Sequence, residues 1–411
     1  MSKDPAAGID LRSPTADEMF SVLAVIERAF GEDVQPAYAE RELALMPPGR
    51  ALAAFDGTDA VAGGGMYEFE MTVPGGPTPV AGVTWVGVLP THRRRGILSA
   101  MMRRQLSDLH EQQREPVAAL WASEPEIYRR FGYGNASKRL NLKVQSGLPF
   151  VPGAPAGSPG RMIGVEQARE TLAQIYDRAR LARPGFVSRS TARWDSILDD
   201  SEQSRRGAGS LTCVVLESGD GYVLYRTKPE QHDGIAAGKV TVRELIAVDG
   251  AAHAALWRYL LDMDLISTVE AWNVAMDDPL PHLVANVRRL HPSYSDALWV
   301  RIVDVVPALA ARTYASADSV VIEVIDVECP WNAGRFALDV AGLDSPGVVA
   351  RTDRSADITL SAVELGAAYL GGTRLRSLAA AGFVDEHTPG AVTRADRLFT
   401  GALEPWIPEV F

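Results

Sequence analysis

Thr84–Gln105 reads TWVGVLPTHRRRGILSAMMRRQ. Its first part, Thr84-Trp85-Val86-Gly87-Val88, is β-branched and aromatic, the composition of a strand. Pro90 ends that strand, and a basic turn follows, His92-Arg93-Arg94-Arg95-Gly96. Ile97, Leu98, Met101, Met102 and Leu106 then recur near helical spacing, so a helix starts at the turn. The first amides of a helix have no intrahelical partner, and the helix dipole favours negative charge beside them. A strand running through a glycine turn into a helix is therefore a cradle for a phosphate-like anion. Gly96 lets such an anion come close to the backbone, and the arginines add forked donors.

The stretch resembles the acetyl-CoA signature of the GNAT superfamily of N-acetyltransferases, Gln/Arg-x-x-Gly-x-Gly/Ala after a strand. Here it reads Arg93-Arg94-Arg95-Gly96-Ile97-Leu98, with Leu98 in place of the usual small residue. The flanking elements agree with that layout. Asp10-Leu11-Arg12 is a short first strand, and Met19, Val22, Leu23, Ile26 and Phe30 mark an amphipathic helix. Ala51–Phe55 and Val61–Phe69 form a hairpin around Asp56-Gly57. Gly82–Val88 is the next strand and Val117–Trp121 the one after the helix.

After Trp121 comes Ser123-Glu124-Pro125-Glu126-Ile127-Tyr128-Arg129-Arg130-Phe131-Gly132-Tyr133. Ser123 with Glu126 three residues on reads as a capping box, which puts Tyr128 about one turn into a short helix. In open sheets ligands bind at the carboxyl ends of parallel strands. A phenol there is either a packing residue, like Phe131 and Tyr133, or a proton donor to a leaving group.

Composition bounds the rest. The chain has 411 residues and a net charge of −11, which fits several domains and argues against a nucleic-acid binder. Its 2 cysteines, Cys213 and Cys329, make neither a disulfide framework nor a metal cluster, so no metal is expected. MSKDPAAGIDLRSP lacks the apolar core of a signal peptide, and no apolar run approaches the roughly 18 residues of a membrane span. A cytoplasmic protein is the expectation.

Gln145–Gly160, QSGLPFVPGAPAGSPG, reads as a linker. Beyond it, VTVRELIAVDGAAHAALWRYLLDMD mirrors the opening stretch, a strand over Val240–Val248 and a helix over Ala251–Asp262. Asp249-Gly250-Ala251 replaces the basic turn, and an aspartate would repel phosphate. This reads as a degenerate second GNAT fold, or as an unrelated α+β unit. A third unit opens with Leu298–Val303 and alternates strands and short helices. Its end, Pro405–Phe411, is aromatic and proline-stiffened, a character that points to a docked terminus.

Three features together resemble the Enhanced intracellular survival acetyltransferase family of actinobacteria: the His92–Gly96 turn, the Glu126–Gly134 stretch and the terminal Trp406-Ile407-Pro408-Glu409-Val410-Phe411. The resemblance implies an α+β fold with α/β-like layers: a catalytic GNAT domain (1–148), a degenerate GNAT domain (149–294) and a sterol-carrier-protein-like domain (295–411). It implies an acetyl-CoA-dependent N-acetyltransferase, assembled as a hexamer, acting on small polyamines such as aminoglycosides. Tyr128 then matches the general acid, and Phe411 the terminal residue whose main-chain carboxylate is the general base. Val86, Gly87 and Val88 match the strand that binds the pantetheine arm. Arg93, Arg94, Arg95, Gly96, Ile97, Leu98 and Ser99 match the pyrophosphate loop, and Ser123 and Glu124 a further coenzyme contact. Two other readings stay open, an acetyltransferase of protein or peptide lysines and a lipid-binding protein with GNAT units as scaffold.

Overall fold

The computed structural model describes residues 8–411; the start of the polar N-terminal stretch, residues 1–7, lies outside them. The chain folds as two compact units. One takes the chain up to Ser137 with Leu298–Ala402 and Glu409–Phe411; the other takes Lys138–Ala297 with Leu403–Pro408.

In the first unit β1 (Ile9–Arg12), β2 (Ala51–Asp56), β3 (Asp59–Val73), β4 (Gly76–Val88) and β5 (Val117–Trp121) lie in that order in one sheet. The expected hairpin forms at Asp56-Gly57, and a second joins β3 to β4 with Val73 opposite Gly76. β4 begins earlier than its sequence suggests, because Pro77 and Pro79 lie ahead of Val80, where pairing with β5 starts, and leave no ladder donor missing on that side. Helices α1 (Met19–Phe30) and α3 (Ile97–Gln112) cover opposite faces of the sheet. The adjacent β3 residues Gly63 and Gly64 meet Val22 and Ile26 of α1, and Met101 and Gln105 of α3, respectively. A helix absent from the sequence reading, α2 (Pro36–Leu45), follows α1.

The sheet is completed from far along the chain. Leu298–Ile302, buried at every position, pairs antiparallel with β5 and also with Gly134–Asn135. The sequence reading makes this segment the opening of the third unit and ends the first at residue 148. In the structure, Lys138–Gln145 instead pairs with Ile266–Ala275 in the second unit. A run buried on both faces fits only between two strands, and it removes the edge that β5 would otherwise expose. Arg301 anchors the inserted strand through a fully buried ion pair with Asp326 at 2.7 Å.

The rest of the first unit is a six-stranded sheet built from 313–314, Ser345–Arg351, Gly334–Val340, Asp318–Ile325, Ile358–Ser361 and Val384–Glu386 in spatial order. Its helix Ala362–Ala368 starts with a capping box between Ser361 and Glu364.

The second unit repeats the first unit's plan. Its sheet runs Ser293–Asp296, Lys138–Gln145, Ile266–Ala275, Gly238–Ala247, Gly221–Lys228, Thr212–Leu216 and Gly160–Ile163. One core forms around Leu256 and Trp257 of helix Gly250–Leu261, another around Leu172 and Tyr176 of helix Val165–Arg180. Trp406 docks in this unit edge-on to Phe186 at 5.2 Å, and its indole N–H donates to Asn273 Oδ1 at 3.0 Å.

Candidate active site

β4 and β5 pair in parallel only from Val80–Val117 to Gly82–Ala119. Beyond Gly82 the two strands part, and a cleft opens at their carboxyl ends. The parting coincides with a bulge, since the β3–β4 register shifts between Gly63 and Gly65. Trp85 sits in the bulge with φ +59°, a left-handed conformation that costs an aromatic residue about 1–2 kcal/mol. Glu42 of α2 holds it there. One carboxylate oxygen of Glu42 accepts from the Trp85 indole N–H at 3.2 Å and from the Tyr67 hydroxyl at 3.1 Å.

The basic turn continues from β4 into α3. Arg94 has φ +62° and Gly96, the N-cap, φ +78°. No side chain caps α3, so its first amides remain available to an anion. Arg93 is spent differently from the sequence reading. It donates from Nη2 to the Ala29 carbonyl at 2.8 Å and from Nε to the Val88 carbonyl at 3.2 Å, tying the end of α1 to the end of β4. His92 bonds Asp56 at 3.3 Å, and Arg95 lies 4.0 Å from that same carboxylate.

These elements enclose a cavity of about 440 Å³. Val86, Gly87 and Val88 form one wall; Arg93, Arg94, Gly96, Ile97, Leu98 and Ser99 line the turn; Ser123, Glu124 and Tyr128 line the far side. Arg95 and Phe411 are not among its walls. Phe30 at the end of α1 and Arg130 after α4 (Pro125–Arg129) line it as well, and the sequence reading missed both. In the sequence Phe30 is indistinguishable from the core positions of its helix, and only its exposure in the structure sets it apart.

Tyr128 is 6% exposed. Burial pushes its phenol up to about 12, with the Glu124 charge adding to the rise and a hydrogen bond to Ser123 opposing it. The proton therefore stays on Tyr128 at neutral pH. The expected capping role of Ser123 is corrected: Glu124 is the N-cap of α4 and makes no side-chain cap bond, while Ser123 turns to Tyr128. Tyr133 packs edge-on to Tyr128 at 6.1 Å and fixes the ring.

Phe411 docks in the same unit at the fork. Its ring stands edge-on to Phe69 at 4.9 Å, beside Gly82, the last β4 residue paired with β5. A Cβ on Gly82 would clash with Phe69 at 2.3 Å and crowd Phe411 at 3.2 Å, so glycine here lets both rings pack against the strand. Phe69 in turn neighbours Tyr67 at 5.8 Å, and Tyr67 reaches Glu42. Nearby, Tyr38 hydrogen-bonds Glu27, whose pKa is raised by burial and by the charges of Glu32 and Glu42.

Comparison with known proteins agrees with this geometry. Residues 10–136 and 185–302 match acetyltransferase (GNAT) domain families, and 305–408 match a sterol carrier protein domain. An uncharacterized N-acetyltransferase of Streptomyces avermitilis is 44% identical, over 93% of this chain and 95% of its own length. The N-acetyltransferase Eis of Mycobacterium tuberculosis is 35% identical, over 95% of this chain and 96% of its own. This chain belongs to the Eis family of N-acetyltransferases. The crystal structure of Eis1 from Mycobacterium abscessus superposes on it with a TM-score of 0.82 at 36% identity, covering 98% of this chain and all of that one. A GCN5-related N-acetyltransferase from Anabaena variabilis, 19% identical, shares the fold at a TM-score of 0.83. This Eis-family enzyme is thus an acyltransferase with two GNAT folds and a sterol-carrier-like domain, and GNAT acetyltransferases use acetyl-CoA. Among the described residues no helix is long and apolar enough to cross a membrane, and no cluster of metal-ligating side chains occurs.

Proposed function

We propose that this enzyme transfers acetyl groups from acetyl-CoA to several amines of one polycationic small molecule, aminoglycosides being the substrate class. The observation that carries the reading is the β4–β5 fork, where a buried, protonated Tyr128 shares one cavity with the uncapped start of α3. Backbone groups of Val86, Gly87 and Val88 take the pantetheine arm, and strand amides there polarise the thioester oxygen. Arg94 and the amides from Gly96 to Ser99 take the pyrophosphate, with Arg93 bracing the turn and Arg95 adding positive charge from outside the cavity wall. Ser123 and Glu124 complete the coenzyme side.

Both substrates bind together, and no cysteine is needed. Cys213 and Cys329 are buried, with their thiols pushed up to about 12 by burial. The Phe411 carboxylate accepts a proton from the substrate ammonium, directly or through water. The freed amine forms the new C–N bond at the thioester carbon, the C–S bond breaks, Tyr128 gives its proton to the departing thiolate, and the remaining excess proton on nitrogen returns to the Tyr128 phenolate to leave the neutral amide. Glu27, Glu32 and Glu42 add the negative field a polycation needs, and a bound ammonium offsets the burial and the like charges that raise the Glu27 pKa.

In this reading the first forked sheet carries the coenzyme chemistry, the sheet of the second unit is a GNAT fold without it, and the chain beyond Leu298 brings the terminal carboxylate. The family resemblance extends to a hexamer, which light scattering on the eluting species tests, and to the cytoplasm. A coenzyme A release assay against aminoglycosides, polyamines and lysyl peptides, with product masses, tests the substrate class. Multiply acetylated aminoglycoside supports it; turnover confined to lysyl peptides replaces it with peptide acetylation. A melting shift with fatty acids and none with acetyl-CoA would favour the lipid-binding alternative.

A further inference from the structure

The second unit holds its own forked sheet. Gly238–Ala247 and Ile266–Ala275 pair in parallel from Gly238–Ile266 to Val242–Ala271, then part. The fork again coincides with a bulge. Tyr225 faces Val242 and Leu224 faces Glu244, so Arg243 is the skipped residue. Bulges re-aim the side chain they carry. Beyond Val242 a cavity of about 360 Å³ opens, with Arg243 on its wall beside Trp257, Trp272 and Trp406. Ligand pockets run from roughly 300 to 1,000 Å³, so this is room for a small molecule.

Arg243 is the one charged group of this cavity without a protein counterpart in hydrogen-bond reach, among the described residues. Arg178 is tied to Asp220 at 3.2 Å and Arg183 to Asp277 at 2.6 Å. Glu244 takes the guanidinium of Arg189 and the Tyr222 hydroxyl. Asp278 takes His253 at 2.9 Å and the Leu280 amide at 2.8 Å, and Asp249 caps helix Gly250–Leu261 through the Ala252 amide at 2.8 Å. Arg243 reaches the cavity with its guanidinium donors unspent, and the Nδ1 of His253 on the same wall is also unpartnered. It is exposed through that cavity, yet crowded enough that desolvation pulls its pKa below the ordinary arginine value, with the Glu244 charge opposing the shift. A guanidinium so placed gains by taking an anion.

We infer that this second cleft binds a small monocarboxylate with a flat apolar body, its carboxylate on Arg243 and its body against the exposed part of Trp272. Acetyl-CoA does not fit this assignment, because the Asp249 carboxylate occupies the amide that a pyrophosphate would need. With the Arg139 guanidinium over its ring at 4.8 Å, Trp272 keeps 38% exposure on the cavity wall. A planar ligand covers it and gains the stacking that tryptophan offers.

The test is calorimetric titration of the full-length protein with indole-3-acetate, 3-phenylpropionate, indole-3-acetamide and inorganic phosphate. The carboxylates are expected to bind saturably, with the neutral amide about tenfold weaker or worse, the loss of one charge-assisted contact. Arg243→Gln is expected to lose carboxylate binding about tenfold while keeping its melting temperature and its acetyl-CoA affinity. The acid–amide pair on wild-type protein reads the same charge contact without any mutation. Absence of saturable carboxylate binding up to about 5 mM, phosphate binding in its place, or equal affinities for wild type and Arg243→Gln would each overturn the assignment.

Discussion

The two forked sheets share a topology and treat the start of the following helix in opposite ways. In the first, Gly96 leaves the α3 amides uncapped behind Arg94 and Arg95; in the second, Asp249 satisfies the Ala252 amide with its own carboxylate. The bulges differ in the same sense. The first carries Trp85, held by Glu42 and turned away from charge chemistry, while the second carries Arg243 with no hydrogen bond of its own. A fork between parallel strands therefore supplies a cavity, and what sits at the helix start decides whether a pyrophosphate is admitted.

The largest expected effects fall on chemistry in the first fork. Appending Gly-Ser-Gly after Phe411 removes the terminal carboxylate and leaves every side chain in place. Acetylation is expected to drop by roughly 10²–10⁴-fold, with melting temperature and acetyl-CoA affinity retained. Full activity of the extended chain, checked by mass for clipping, would rule out the terminal base. Tyr128→Phe is expected to lower turnover over the same rough range of 10²–10⁴ without weakening coenzyme binding; turnover within about twofold, with chemistry rate-limiting, makes it a packing residue.

Arg94→Ala comes next. Losing one charged hydrogen bond to a phosphate costs about 1.5–3 kcal/mol, so acetyl-CoA affinity is expected to fall about tenfold or more by calorimetry. Asp249→Ala, the matching change in the second fork, is expected to cost about 1 kcal/mol of stability through the lost cap, read in denaturant, and to leave acetyl-CoA affinity alone. The smallest effect is a flat line. Because burial lifts the Tyr128 phenol from 10 to about 12, it stays protonated as pH rises past 10, and the pH profile of kcat should show no alkaline loss from this group up to about pH 10. A fall with a midpoint near 10 would mean an unshifted phenol.

The first fork was largely legible in the sequence because its signals are local. A β-branched run, a proline, a glycine and a 3.6-residue period lie within Thr84–Gln105, and Gly96 takes the positive φ that its position suggests. The position of Tyr128 beside the cavity followed from its place after β5, but that position left packing and proton donation both open. Long-range pairing was not legible. LWVRI at 298–302 reads as a strand, but nothing in five apolar-rich residues names β5 as its neighbour. Helix α2 escaped because PAYAERELAL has no capping side chain and buries little beyond Ala39. The tasks of Ser123 and Arg93 were misread for a related reason. A hydroxyl two residues before a proline fits a capping pattern, and an arginine beside a glycine turn fits an anion site, whereas their partners, Tyr128 and the Ala29 carbonyl, depend on tertiary packing.

The central claim is that one fork of the two holds the coenzyme. Calorimetric titration of acetyl-CoA into the full-length protein counts the sites directly. The account predicts one molecule per chain for wild type and none at the same concentrations for the Arg94→Ala, Gly96→Trp double variant, which stays folded at the assay temperature although the left-handed Gly96 position lowers its melting temperature. Two molecules per chain, or one that survives the double variant, would contradict it.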